Sequence, residues 1–138
     1  MIQLTYMSSA TAWPSTEDLQ FLLTQCRRNN ERDNITGMLV YRDAQFLQAI
    51  EGDEADIHVL FGKISNDPRN NAVVKLIEKP IMVREFPSWT MGFKNLDGAK
   101  PDVIPGYVDV FEEKREGRTD ERVVSAAERL LRNFAQRA

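Results

Sequence analysis

Two stretches of the chain repeat one apolar spacing: Leu19, Leu22, Leu23 and Cys26, then Ile57, Leu60, Phe61 and Ile64, each at i, i+3, i+4, i+7. That period lays a single apolar stripe along each of two helices. Around them run segments with period-two alternation. In Ile2 to Met7, Ile2, Leu4 and Tyr6 share one face and Gln3 and Thr5 the other, as in a half-buried strand. Ile35 to Tyr41 and Gln45 to Gly52 read as two further strands. A one-striped helix and a one-faced sheet bury their apolar sides against each other, so the chain is expected to be α+β.

Local signals set the boundaries. Ser8 to Pro14 reads as a loop. Ser15-Thr16-Glu17-Asp18 is a capping-box-like helix start with Asp18 at N3. The helix is expected to run to about Arg28, with Asn29 and Asn30 at its C-terminal end. Gly37 interrupts the next strand, and Arg42-Asp43-Ala44 turns it into an antiparallel hairpin with the strand that carries Gln48. Asp53, Glu54 and Asp56 place acids at the positive end of the second helix. Pro68 stops helix continuation within the turn Asn66 to Asn71. Val73 to Ile77 and Ile81 to Phe86 read as strands, with Trp89 to Phe93 continuing the second of them.

The expected order is βαββαββ, a ferredoxin-like split-βαβ pattern with one extra strand and two helices on one face. Past Gly98 the composition shifts to a Pro/Gly-punctuated stretch, a charged segment from Glu112 to Arg118, and a last helix striped by Val123, Ala127, Leu130 and Phe134. Residues 1–98 are therefore read as the domain, and 99–138 as a helical extension packed on it or at an oligomer contact.

Bulk properties exclude several functions. A net charge of -3 supplies no basic field for a phosphate backbone, so nucleic acid is not an expected partner. One cysteine and one histidine argue against an internal disulfide and an all-protein zinc site. No apolar run approaches the ~20 residues of a membrane span. The start, MIQLTYMSSA, lacks a secretion signal, so a cytoplasmic location is expected. Enzyme motifs are missing too: there is no Gly-x-Gly-x-x-Gly, P-loop or nucleophile elbow. His58 reads as a surface residue and Cys26 as a small core residue. The expectation is a chain that is not an enzyme.

What stands out is polar chemistry where aliphatics would ordinarily pack. Gln48 shares a strand face with Phe46 and Ile50. A primary amide buried there costs free energy unless its donors and acceptor are partnered. Its two ends are nearly isosteric, so a half-turn exchanges donor for acceptor. Taken singly, each such residue has a plain reading. Gln48 would bond a neighbouring backbone, Tyr6 would pack with its hydroxyl at a rim, and Asn29 and Asn30 would end a helix. Arg69 would be solvated, and Trp89 and Met91 would pack an edge strand.

The segments that carry these residues resemble, as a set, the BLUF family of flavin-using blue-light sensors. They are Leu4-Thr5-Tyr6-Met7-Ser8, Arg28-Asn29-Asn30, Ile35-Thr36-Gly37-Met38-Leu39-Val40-Tyr41, Phe46-Leu47-Gln48-Ala49-Ile50-Glu51-Gly52, Ile64-Ser65-Asn66-Asp67-Pro68-Arg69 and Arg84-Glu85-Phe86-Pro87-Ser88-Trp89-Thr90-Met91. They run in order over residues 1–96, about two-thirds of the chain. Asn70 departs from the pattern, since histidine is frequent there in the family.

The resemblance implies a flavin, FAD by family expectation with FMN as the alternative, held between the two helices and one sheet face. Tyr6 and Gln48 would form a hydrogen-bonded chain to flavin N5 and the C4 carbonyl. Asn30 would meet the C4 carbonyl and N3 edge, and Arg69 the C2 carbonyl side with Asn29 and Asp67 nearby. Phe46, Ile50 and Ile64 would line the ring, Ser8 would sit beside Tyr6, and Asn70 would lie toward the ribityl or phosphate side. Trp89 and Met91 would exchange access to Gln48 on the last strand. Output would pass to a protein partner or through a homo-oligomer contact. Two other readings stay open on the residues alone: a flavin- or heme-dependent oxidoreductase on the same scaffold, and a cofactor-free interaction module.

Overall fold

The computed structural model describes residues 1–12 and 14–87 and the backbone of 92–95. Its elements are β1 (Ile2–Ala10), α1 (Thr16–Arg32), β2 (Thr36–Arg42), β3 (Gln45–Gly52), α2 (Glu54–Asn66), β4 (Asn70–Pro80) and β5 (Gly92–Asn95). The sheet order is β4-β1-β3-β2-β5. Pairs β1–β3, β1–β4 and β2–β3 are antiparallel, and β5 lies parallel to β2. This is the ferredoxin-like α+β arrangement with an added strand.

Both helices cover one face. Leu19 and Leu23 of α1 and Ile57 of α2 pack into one cluster with Ile2, Leu4 and Tyr6, with Leu39 and Tyr41, and with Phe46 and Ile50. Register makes these strand residues neighbours: Leu4 pairs with Ile50, Leu39 with Gln48, and Tyr41 with Phe46. Burying each such side chain contributes about 1.5–3 kcal/mol, so this cluster anchors the helices. The opposite face buries Met38, Val40, Leu47 and Ala49, together with the polar Gln3, Thr5, Thr36 and Glu51.

Local chemistry explains the turns. Ser15 and Asp18 form the reciprocal capping box. Asp43 and Ala44 both take positive φ, 50° and 61°, giving a two-residue hairpin turn whose twist suits the strands it joins. The amide of Ala44 donates to the Tyr41 hydroxyl at 3.2 Å, which holds that turn.

Three local details differ from expectation. Helix α1 runs past Asn29 and Asn30 to Arg32, and the asparagine that takes left-handed geometry is Asn34, at φ 56°. The type of residue was right and the position was not, because Asn30 is drawn inward by burial. Strand β1 continues through Ser8 to Ala10, paired on both sides by β3 and β4. Gly37 does not interrupt β2: a Cβ there would lie 2.1 Å from the Ala49 carbonyl oxygen, so only glycine permits this close approach.

The largest correction concerns Ile81 to Phe86. It is not a strand; β4 itself extends over Asn70–Pro80, and the fifth strand is Gly92–Asn95 beside β2. In the 81–86 segment the neighbours Met82 and Val83 are 95% and 78% exposed while Phe86 is fully buried, so no strand face is covered. The amides of Glu85 and Phe86 bond the Glu51 side chain in place of a ladder partner. Trp89, Met91 and the 99–138 extension lie outside the described residues. Among the described residues, no helix is long and apolar enough to cross a membrane, and no cluster of metal-ligating side chains occurs.

Candidate functional site

The site is built from one rung of the β1–β3 ladder. Tyr6 and Gln48 are direct partners in the register, and both side chains are 4% exposed on the helix-covered face. The Tyr6 hydroxyl donates to Oε1 of Gln48. Phe61 of α2 tilts against the Tyr6 ring at a centroid distance of 5.6 Å, which fixes the phenol's direction. Burial pushes the Tyr6 phenol well above the usual tyrosine range, reinforced by Cys26 and Asp67, so the hydroxyl keeps its proton at neutral pH.

Tyr6 and Gln48 form part of the wall of a cavity of about 220 Å³ between the helices and the sheet. One water needs roughly 10–15 Å³, so this space holds an organic molecule, not a lone solvent site. Leu22, Leu39, Phe46, Leu60 and Ile64 supply apolar walls, and Gln25, Asn29, Asn30 and Gln48 supply amides. Lys63, Asp67, Arg69 and Asn70 complete the lining. Arg69 grips Asp67 through Nη2 to Oδ2 at 2.6 Å and Nε to Oδ1 at 3.0 Å. That contact holds the Asp67 carboxyl below the usual carboxylate range and raises the Arg69 guanidinium.

Of the residues singled out from sequence, Tyr6, Asn29, Asn30, Phe46, Gln48, Ile64, Asp67, Arg69 and Asn70 line this cavity. Ile50 does not; it is fully buried in the core below it. Ser8 is buried one strand residue beyond, with its hydroxyl 3.4 Å from Oδ1 of Asn70. Gln25 and Lys63 escaped notice, although helical spacing marks them. Leu22, Gln25, Cys26 and Asn29 fall at i, i+3, i+4, i+7, as do Leu60, Lys63, Ile64 and Asp67. Cys26 is a wall of the cavity and only partly buried, in contrast to the core position expected for it. Burial pushes its thiol up to about 11, against the nearby Arg69 and Arg27.

Apolar walls with a few convergent amides, set between the helices and sheet of a ferredoxin-like α+β domain, define a small-molecule binding site. The comparisons agree. The family model described as BLUF, sensors of blue-light using FAD, matches residues 1–92. The chain belongs to the BLUF family and is a flavin-binding blue-light sensor module. Its curated relatives include the photoactivated adenylate cyclase subunit beta of Euglena longa, 38% identical over 89 residues, 64% of this chain and 10% of that protein. The subunit alpha of Euglena gracilis is 31% identical over 98 residues, 69% of this chain and 10% of that protein. The chain thus spans about a tenth of the length of these relatives. Among solved structures, Klebsiella pneumoniae BlrP1 in its calcium and cyclic diGMP complex superposes with a TM-score of 0.79 at 29% identity, covering 97% of this chain and 33% of that one. The dark-state structure of the BLUF protein BlrB gives 0.67 at 28% identity, covering 97% and 94%.

Proposed function

We propose that Tyr6 and Gln48 are the photochemical pair of this sensor. The hydrogen bond they share, buried at the cavity wall, carries the reading. The residues suit an isoalloxazine: apolar side chains match its faces, and the amides of Asn30 and Gln48, each both donor and acceptor, match its imide edge. When bound, the flavin supplies a blue-absorbing ring that takes up an electron on excitation.

The rest is the work of the chain. Tyr6 is a neutral phenol with its proton already directed at Oε1 of Gln48. Loss of an electron makes a phenol strongly acidic, so the proton moves along that bond to Oε1. Gln48 would give a proton from Nε2 to the ring that took up the electron, and return of the electron and a proton to Tyr6 would restore the phenol and leave the Gln48 amide turned or tautomerised. Each exchanged bond is worth only about 0.5–1.5 kcal/mol net, so the altered network reverts thermally in darkness. Phe61 keeps the phenol oriented throughout. Asn29, Asn30, Asp67, Arg69 and Asn70 hold the polar edge and chain of the cofactor, and Phe46 and Ile64 its ring, with Ile50 and Ser8 supporting them from beneath and beside.

FAD is the proposed flavin, in line with the family description, with FMN as the alternative. Residues 1–98 are taken as the sensor domain and 99–138 as its extension. The chain carries no enzymatic activity of its own in this reading. Its output passes through the last strand, with Trp89 and Met91 as relay, to a cytoplasmic protein partner or a second copy. An absorbance spectrum before and after blue light tests the whole. The expected result is a yellow protein with a red shift that decays in darkness. Retention of the full photocycle in both Tyr6→Phe and Gln48→Leu would refute the assignment.

A further inference from the structure

On the sheet face away from the helices, a second cross-strand pair mirrors the first. Gln3 is register partner to Glu51 as Tyr6 is to Gln48, three residues along the same two strands. Glu51 is fully buried there, where a carboxylate is tolerated only if its oxygens are bonded. They are. Oε2 accepts from Nε2 of Gln3 at 3.0 Å and from the Glu85 amide at 2.8 Å, and Oε1 accepts from the Phe86 amide at 2.7 Å. Nε2 of Gln3 also donates to Oε2 of Glu85 at 3.0 Å.

The residue before joins the same hold. Arg84 donates to the Asn34 carbonyl at 2.6 Å, to the Thr36 hydroxyl at 2.8 Å and to the Glu51 carbonyl at 2.9 Å. The Phe86 side chain is fully buried. Residues 84–86 are therefore pinned to β1, β2 and β3 largely by side chains, on the stretch of chain between β4 and β5. A latch made of side chains can release in a way that a continuous ladder cannot.

The latch is also incompletely satisfied. Oε1 of Gln3 and Oγ1 of Thr5 are both buried without a hydrogen-bond partner, two residues apart on one strand face. Such orphans call for a reason. A bond from the Thr5 hydroxyl to Oε1 of Gln3 would satisfy both, and it would define a second arrangement of this network.

We propose that Glu51 is the positioning residue through which β3, the strand of Gln48, holds the chain leading into β5, and that the light signal leaves the pocket by rearranging this latch. The proposal rests on the photoreceptor reading above. A changed bond at Gln48 displaces β3 against β1, and Gln3 and Glu51 join the same two strands on the other face. Coupling of this kind needs a contiguous network with two arrangements; the Gln3–Glu51–Glu85 cluster is that network, and its orphans are the groups a second arrangement would pair.

Amide hydrogen exchange on the full chain loaded with FAD, in darkness and under blue light, tests it. Glu51→Gln replaces one acceptor oxygen with a donor that faces an amide. The variant is expected to bind FAD and to red-shift, while dark exchange at residues 85 and 86 rises about tenfold, the equivalent of one lost bond. The light-minus-dark difference at residues 92–95 should vanish. A wild-type difference there in Glu51→Gln would overturn the proposal. Gln3→Met, which removes the orphaned acceptor and the Nε2 bonds to Glu51 and Glu85 but leaves the two amide bonds to the Glu51 carboxylate in place, guards against a folding failure. It should keep dark protection at 85 and 86 yet shrink the light-driven difference, and an unchanged difference would again overturn the idea. Absence of any red shift in the unaltered chain would instead overturn the photoreceptor reading and the signalling half of the proposal. Dark exchange still tests the latch by itself.

Discussion

Tyr6 and Gln48 meet across a single rung of the β1–β3 ladder, the phenol donating to the amide oxygen in a site nearly closed to water. Because both backbones are tied into the sheet, the bond is set by register, and neither side chain has to be ordered by the ligand. That preorganisation is what a photochemical pair requires, since the proton must be placed before the photon arrives.

Tyr6→Phe removes the donor and leaves Oε1 of Gln48 without this partner. Stability should fall by about 1–2 kcal/mol, flavin should remain bound, and the light-induced red shift should disappear. Thermal unfolding alongside difference spectroscopy reads both effects on one sample.

Gln48→Leu leaves the Tyr6 hydroxyl buried opposite a hydrocarbon. The unpaired donor should cost about 1–3 kcal/mol and the photocycle should be lost. The double variant Tyr6→Phe with Gln48→Leu should be less destabilised than the two single losses added together, because removing both partners leaves no orphan. Strict additivity would show that the two side chains are not coupled.

Alkaline pH should weaken the fold in a defined sense. The Cys26 thiol is pushed up to about 11, and the Tyr6 phenol is raised further still. Both groups hold their protons more tightly folded than unfolded. Their stabilising effect is therefore complete below the unfolded values, ~8.5 for cysteine and ~10 for tyrosine, and drains away as pH climbs toward the folded ones. Unfolding midpoints measured from pH 7 to 11 should fall with a slope that Cys26→Ala reduces above pH 9.

Cys26 also reports on occupancy. As a wall of the cavity with a raised thiol, it should react slowly with a disulfide reagent at pH 7 and more slowly still with flavin bound. Equal rates with and without flavin would place the ligand elsewhere.

Gly37→Ala should be among the most damaging small substitutions. The new methyl would meet a backbone oxygen, which cannot swing aside as a flexible side chain can. A loss of about 1–3 kcal/mol or more is expected, with weakened flavin retention, because Leu39 and Gln48 are paired two rungs along, on the same sheet face.

The elements that were legible in the chain are those whose signal is local. The α1 and α2 stripes, the Ser15–Asp18 cap, the turn at Asp43 and Ala44, and the alternation of β1 all depend on residues within a few positions of each other. Sequence also marked much of the cavity lining: Gln48 as an amide on an apolar strand face, and Asn30 and Arg69 through the resemblance to the BLUF family. Gln25 and Lys63 went unremarked because a polar side chain on a helix is ordinarily solvated, and only the packing of α1 and α2 over the sheet turns those two faces toward one space.

Ile81 to Phe86 shows where local signal ends. Its apolar run Ile81-Met82-Val83 reads as a strand, but whether backbone amides bond a ladder or a side chain is decided by what stands opposite. There the Glu51 carboxylate, brought in from β3, bonds the Glu85 and Phe86 amides. Periodicity along the chain thus determined which faces are apolar and where helices begin. Only the tertiary arrangement determined that Tyr6 and Gln48 share a hydrogen bond, that Glu51 holds the approach to β5, and that Asn30 turns inward while Asn34 ends the helix. Each of these depends on groups far apart in the chain, whose separation no local pattern encodes.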